Sequence, residues 1–123
     1  MSIQNIDHVQ LAMPPGREEE AREFYCGLLG IPEVPKPQSL AASGGAWFER
    51  GSLKVHLGVE VDFSPAKKAH PAFQVTGLDD LRAKLERAGS EILPDDRLPG
   101  FDRFFTKDPF GNRLEFLEPT PQA

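Results

Sequence analysis

Apolar side chains recur along this chain in two rhythms, and each change of rhythm marks a new element. From Ile3 to Met13 the step is two. Val9, Leu11 and Met13 fall on one face, and Ile6, His8, Gln10 and Ala12 on the other, which predicts a strand. After Pro14-Pro15-Gly16 the step widens to three and four: Ala21, Phe24, Tyr25, Leu28 and Leu29 form the buried stripe of a helix. Glu18, Glu19 and Glu20 occupy its first turn, where the helix dipole favours negative charge, and Gly30 is placed to cap it. Ile31 to Pro37 is broken by prolines and suits an edge strand or a loop, with a short strand near Leu40. Ala46–Glu49 and Leu53–Val59 read as strands joined by a turn at Gly51-Ser52. Leu53, Val55 and Leu57 face one side of this hairpin, and Lys54, His56 and Gly58 the other.

Residues 60–68 carry no period and read as a connector, after which the same order starts again. Ala69 to Val75 alternates as a strand, with His70, Ala72 and Gln74 on one face. Thr76-Gly77-Leu78-Asp79 resembles a capping box, and Leu78, Leu81, Leu85 and Ala88 follow at helical spacing up to Gly89. Residues 90–93 make a short strand, Pro94 to Gly100 a polar loop, and Asp102 to Lys107 a strand. Asp108-Pro109-Phe110-Gly111-Asn112 is a turn, and the strand from Arg113 closes the unit, with Leu114 and Phe116 facing away from Glu115. The chain thus reads strand-helix-strand-strand-strand twice. The expected class is α+β, with two βαβββ modules (about 3–59 and 69–119) in one domain spanning 1–123. Each small sheet is expected to curve around a cleft, with its helix outside.

Composition narrows the function. Among 123 residues, 39% hydrophobic and 27% charged content is ordinary for a globular chain. The formal net charge is −5 and no Lys/Arg cluster exceeds Lys67-Lys68, which argues against nucleic acid and anionic membrane surfaces as partners. No apolar run reaches the ~20 residues of a spanning helix, and Met1-Ser2-Ile3-Gln4 does not read as a signal peptide. A single cysteine, Cys26, fits a reducing cytoplasm, and its place beside the helix stripe favours packing over nucleophilic chemistry.

The chemistry lies in four polar residues on the faces turned away from the helices. His8 and His70 are 62 residues apart, at matching points of the first strand of each half; His56 and Glu115 are 59 apart, in the middle of each last strand. A carboxylate in mid-strand on a covered face is costly unless a cation meets it. Imidazole and carboxylate together suit Fe, Ni, Zn, Mn or Co as a divalent ion. His8, His56, His70 and Glu115 are therefore the expected metal ligands. Gln10, Lys54, Gln74 and Arg103 are candidates to orient a small-molecule substrate, and Trp47, Phe48 and one of Phe104 and Phe105 to line an aromatic groove.

Ile6-Asp7-His8-Val9, Phe24-Tyr25 with Leu28-Leu29-Gly30, Ala69-His70-Pro71-Ala72-Phe73, and Asp108-Pro109-Phe110-Gly111-Asn112-Arg113-Leu114-Glu115 resemble the vicinal oxygen chelate superfamily. It includes glyoxalase I, extradiol dioxygenases, fosfomycin-resistance enzymes, bleomycin-resistance proteins and methylmalonyl-CoA epimerase. The resemblance spans about Ile6 to Pro119. It implies a cleft formed by two βαβββ modules, often in a homodimer, and a divalent metal held at the positions of His8, His56, His70 and Glu115. The metal would act as a Lewis acid on neighbouring substrate oxygens. A glyoxalase-like lyase or isomerase is the first expectation. Glyoxalase I usually carries carboxylates at two of the four positions, one serving as proton shuttle. This chain offers Glu115 alone, and a neutral His56 is left to take the proton. An extradiol dioxygenase or a fosfomycin-type thiol transferase would use His8, His70 and Glu115. A metal-free module binding a cationic drug is the reading from another class, suited by the acidic charge.

Overall fold

The computed structural model describes residues 1–121 and divides into two compact units, Met1–Ser64 and the chain from Pro65 onward. In the first unit β1 is Val9–Met13, β2 Glu33–Val34, β3 Ala46–Arg50 and β4 Leu53–Val59, and the sheet order is β1-β4-β3-β2. β1 runs parallel to β4 with Gln10 opposite His56; β3 and β4 form the expected hairpin with Trp47 opposite His56 and Glu49 opposite Lys54. Helix α1 starts as an α-helix over Glu18–Ala21 and continues as a wider π-helix over Arg22–Leu28. In that wider coil the Leu29 N–H donates to Phe24 O, five residues back (2.9 Å). Phe24 and Tyr25, neighbours in sequence, are both buried there, their rings edge to face at 5.0 Å. Tyr25 stacks on Phe48 at 5.5 Å, and Met13, Val55 and Leu57 complete the core. Gly45 (φ +81°) fits against β4 because it has no side chain: a Cβ there would lie 2.0 Å from Leu57 O.

Three expectations for this unit need correction. The first strand begins at Val9, not Ile3; Ile3 and Ile6 are 92% and 80% exposed and have no sheet to alternate against. Leu40 lies in an exposed 3₁₀ turn, Gln38–Ser43, where Pro37 sets the entry and Gly44 (φ +74°) the exit. Cys26 is exposed, not packed.

In the second unit β5 is Ala72–Gln74, α2 Leu78–Arg87, β6 Leu93–Pro94, β7 Phe101–Lys107 and β8 Arg113–Pro119. The order β5-β8-β7-β6 repeats that of the first sheet, with β5 parallel to β8. Leu78, Leu85, Phe104, Phe110, Leu114 and Phe116 form its core. The expected capping box does not cap α2. Glu118, forty residues on, accepts the N–H groups of Gly77 (2.8 Å) and Leu78 (3.1 Å), putting a carboxylate at the positive helix end. The turn before β8 is closed by Asp108, whose buried carboxylate accepts from Phe110 N, Asn112 N and Asn112 Nδ2, each at 2.9 Å. That closure fixes where β8 starts and therefore which way Glu115 points. The fold is α+β, a βαβββ unit twice over. Among the described residues no helix is long and apolar enough to cross a membrane.

Candidate metal and substrate site

Each sheet turns one face to its helix and carries the candidate residues on the other. In the first unit His8 lies just ahead of β1, two residues before Gln10, which pairs with His56. The His8 and His56 rings stack at 4.3 Å, and the indole of Trp47 covers the far face of His56 at 4.0 Å, within 3° of parallel. His56 is thereby buried to 4% exposure. The imidazole Nε2 meets Glu49 Oε2 at 2.7 Å. The imidazole of His8 is exposed, and its Nδ1 meets Asp7 Oδ1 at 3.0 Å. The His8 hydrogen bond, with the Lys54 ammonium 3.7 Å away, holds the Asp7 carboxyl below its usual range.

The second unit repeats the arrangement. His70 lies just ahead of β5, two residues before Ala72, which pairs with Glu115. The ring nitrogen Nδ1 lies 2.9 Å from the carbonyl oxygen of Lys68, which can only accept, so Nδ1 carries a hydrogen and donates there. That Nε2 stands 2.8 Å from Glu115 Oε1, while Arg103 Nη1 donates to Glu115 Oε2 at 3.1 Å. Glu115 is 6% exposed. Arg103 also donates through Nη2 to Asp95 Oδ1 at 3.2 Å, and its buried Nε has no hydrogen-bond partner.

These donors suit a divalent cation. In both units the histidine ahead of the first strand is pinned through Nδ1 by an acceptor no more than two residues away, leaving Nε2 to coordinate. Ligating histidines are commonly oriented in this way. Ligands about 2.0–2.1 Å from one cation and at right angles stand about 3 Å apart, close to the His70–Glu115 separation of 2.8 Å. Among the described residues the donors stand as pairs, and no group of three or more His, Cys, Asp or Glu able to hold a metal is gathered.

The remaining expected residues divide. Gln10 is exposed and reaches across Gly58, where a Cβ would meet its amide nitrogen at 2.5 Å. Gln74 is exposed on β5, and Arg103 is committed to Glu115 and Asp95. Phe48 cannot line a substrate groove. It is fully buried against Tyr25 on the helix face of its sheet, and Trp47 is the ring beside His56. Of the second pair, Phe104 packs on Phe116 in the core and Phe105 stands edge-on to His70 at 5.3 Å. Glu49 is the functional candidate that the sequence reading passed over. The alternation that put Trp47 beside His56 puts Glu49 on the same face, and the two-residue turn at Gly51-Ser52 fixes it one diagonal step from His56.

Residues 5–116 match the model of the Glyoxalase/Bleomycin resistance protein/Dioxygenase superfamily. The chain belongs to this superfamily. A glyoxalase-family protein from Bacillus anthracis is 49% identical, with a TM-score of 0.93 and 98% of each chain covered. A glyoxalase/dioxygenase from Nostoc punctiforme shares the fold at 20% identity and TM-score 0.78, over 96% of this chain and 92% of its own. The fosfomycin resistance protein FosX from Mesorhizobium loti shares it at 16% and 0.74, over 97% and 95%. No curated protein matches the chain.

Proposed function

We propose that this superfamily member is a divalent-metal-dependent, glyoxalase-like lyase or isomerase acting on a small substrate with vicinal oxygens. The reading rests on one observation, the matched registers: each unit places a nitrogen-anchored histidine diagonally across from a second donor, His8 from His56 and His70 from Glu115. The proposed ligands are His8, His56, His70 and Glu115, and the proposed assembly is a homodimer. When bound, the metal polarises the substrate's adjacent oxygens. Everything else is done by side chains. Arg103 fixes the orientation of Glu115, and Trp47 shields His56 from water. Glu49, 24% exposed and hydrogen-bonded to His56, is the second carboxylate that the sequence reading missed. It takes a proton from the carbon next to a polarised oxygen and returns it to the neighbouring carbon, which is isomerisation by general base and acid. Gln10 offers an amide to the substrate beside this carboxylate.

Metal titration tests the proposal. Protein purified without chelator and titrated in turn with Ni(II), Zn(II), Co(II), Mn(II) and anaerobic Fe(II) should bind about one equivalent of at least one ion. His8→Ala and His70→Ala should each abolish that binding. Less than about a tenth of an equivalent, with no affinity for any added ion, overturns the reading in favour of a drug-binding module. Adducts of methylglyoxal with thiols, catechols and fosfomycin then choose among the reactions.

A further inference from the structure

Next to the His70–Glu115 pair, at the end of β7 and the start of β8, the second unit encloses a cavity of about 530 Å³. That is a usual size for a small-molecule pocket. Its walls carry three cations, Lys67, Lys107 and Arg113, around the buried ring of Phe105, with Glu91 the one acidic lining residue. Lys107 and Arg113 stand directly opposite each other in the antiparallel β7–β8 ladder. Like charges facing each other there destabilise the sheet. At the matching register of the first unit, Glu49 faces Lys54 and the charges cancel. In the second unit nothing cancels them: among the described residues Lys67, Lys107 and Arg113 form no ion pair.

Arg113 is nevertheless held firmly. Its guanidinium carbon lies 4.1 Å from the Phe105 ring centre, and Nη1 donates to Lys68 O at 3.2 Å. A guanidinium has five N–H donors, and that of Arg113 forms no other hydrogen bond among the described residues. A chain of net charge −5 thus keeps a pocket with three cations and one carboxylate in its lining, net positive. We infer that this pocket binds the oxyanion head of a small ligand, a carboxylate or phosphate ester, whose flat or apolar body lies along Phe105 and Leu93. Since Phe105 also stands edge-on to His70, the ligand is the substrate of the His70–Glu115 pair. This last link rests on the function proposed above, whereas the pocket stands on its own lining.

The test uses the full chain after chelator treatment, so metal plays no part. Phenyl phosphate, benzoate and neutral benzamide are titrated, with affinity read by calorimetry and location by amide NMR shifts. Both anions should bind, more weakly as salt rises, with the largest shifts at residues 105–107 and 111–113; benzamide should not bind. Lys107→Gln, which removes an exposed side chain with no ion-pair partner, should weaken phenyl phosphate about tenfold, as should Arg113→Gln. Arg87→Gln, on the exposed side of α2, should leave it unchanged. Absence of binding, shifts confined elsewhere, or equal affinity in the Lys107→Gln protein each overturns the inference. A failed metal titration would leave these results standing.

Discussion

Glu115→Gln tests two properties of one side chain, and they are separable. In the wild-type protein the 6% exposed carboxylate stands 2.8 Å from His70 Nε2 and accepts from Arg103 Nη1 at 3.1 Å. Breaking a buried charge pair typically costs about 3–5 kcal/mol, because the abandoned partner stays buried. Here the loss is smaller. Arg103 keeps Asp95 at 3.2 Å, and the glutamine oxygen still accepts one hydrogen bond, so about 2–3 kcal/mol is expected. With a urea slope of about 2 kcal/mol per molar for a domain of this size, the unfolding midpoint should fall by about 1–1.5 M with the slope unchanged. Repeating the titration with metal at a hundred times its dissociation constant should stabilise the wild type by about 2.7 kcal/mol. The variant should gain almost nothing. A glutamine protein that unfolds at the wild-type midpoint would show that the Arg103 and His70 contacts contribute little. One that retains the full metal-dependent shift would remove Glu115 from the ligand set, whatever its effect on stability.

Two further substitutions address other carboxylates. Glu49→Gln should keep metal stoichiometry while lowering turnover about a hundredfold or more with little change in KM, and should slow exchange of the substrate's transferred proton with solvent; loss of the metal instead would assign Glu49 to coordination. Asp95 is held well below the usual carboxylate range, first by its hydrogen bonds to the Arg97 side chain, then by the Arg97 backbone N–H and the charge of Arg103. A depressed folded pKa stabilises at pH values above the unfolded pKa, about 4, and that contribution disappears as acid drives the pH down through the folded value. Asp95→Asn should therefore be destabilised by a constant amount above about pH 5 and approach the wild type below about pH 4; a gap that widens with acid would contradict the assignment.

The fold was legible where one face of an element is apolar and the other is not. Leu53–Val59 and the strand from Arg113 alternate cleanly, and both are strands within the expected bounds. Legibility failed where the deciding partner is distant or missing. Ile3 falls on the face of Val9, Leu11 and Met13 and Ile6 on the opposite one, but both are exposed ahead of the strand, so neither extends it. Thr76 offers a plausible local cap for α2, yet Glu118 takes the position from the end of β8, a contact that no local pattern encodes. Phe48 and Trp47 are adjacent aromatics with equal claims in sequence. Only the placement of Tyr25 on one side and His56 on the other assigns one to the core and one to the site.

The candidate site was legible to the extent that the two units repeat. His8 with His56 and His70 with Glu115 occupy matching registers, so their spacing in sequence was a sufficient signal. Glu49 and Lys107 also match in register, beside Lys54 and Arg113 respectively, but here the halves have opposite chemistry. A search for residues that repeat discards such positions, although each sits beside the candidate pair of its own unit. Charge reversal at Glu49 and at Lys107, each read within its own unit, tests what they do there. If each side chain acts only on its cross-strand neighbour, Glu49→Lys should do no more than destabilise its own hairpin, and Lys107→Glu should stabilise the other by pairing with Arg113 at about 0.2–1 kcal/mol. If Lys107 serves the oxyanion pocket of its own unit, Lys107→Glu should give a more stable protein that no longer binds phenyl phosphate.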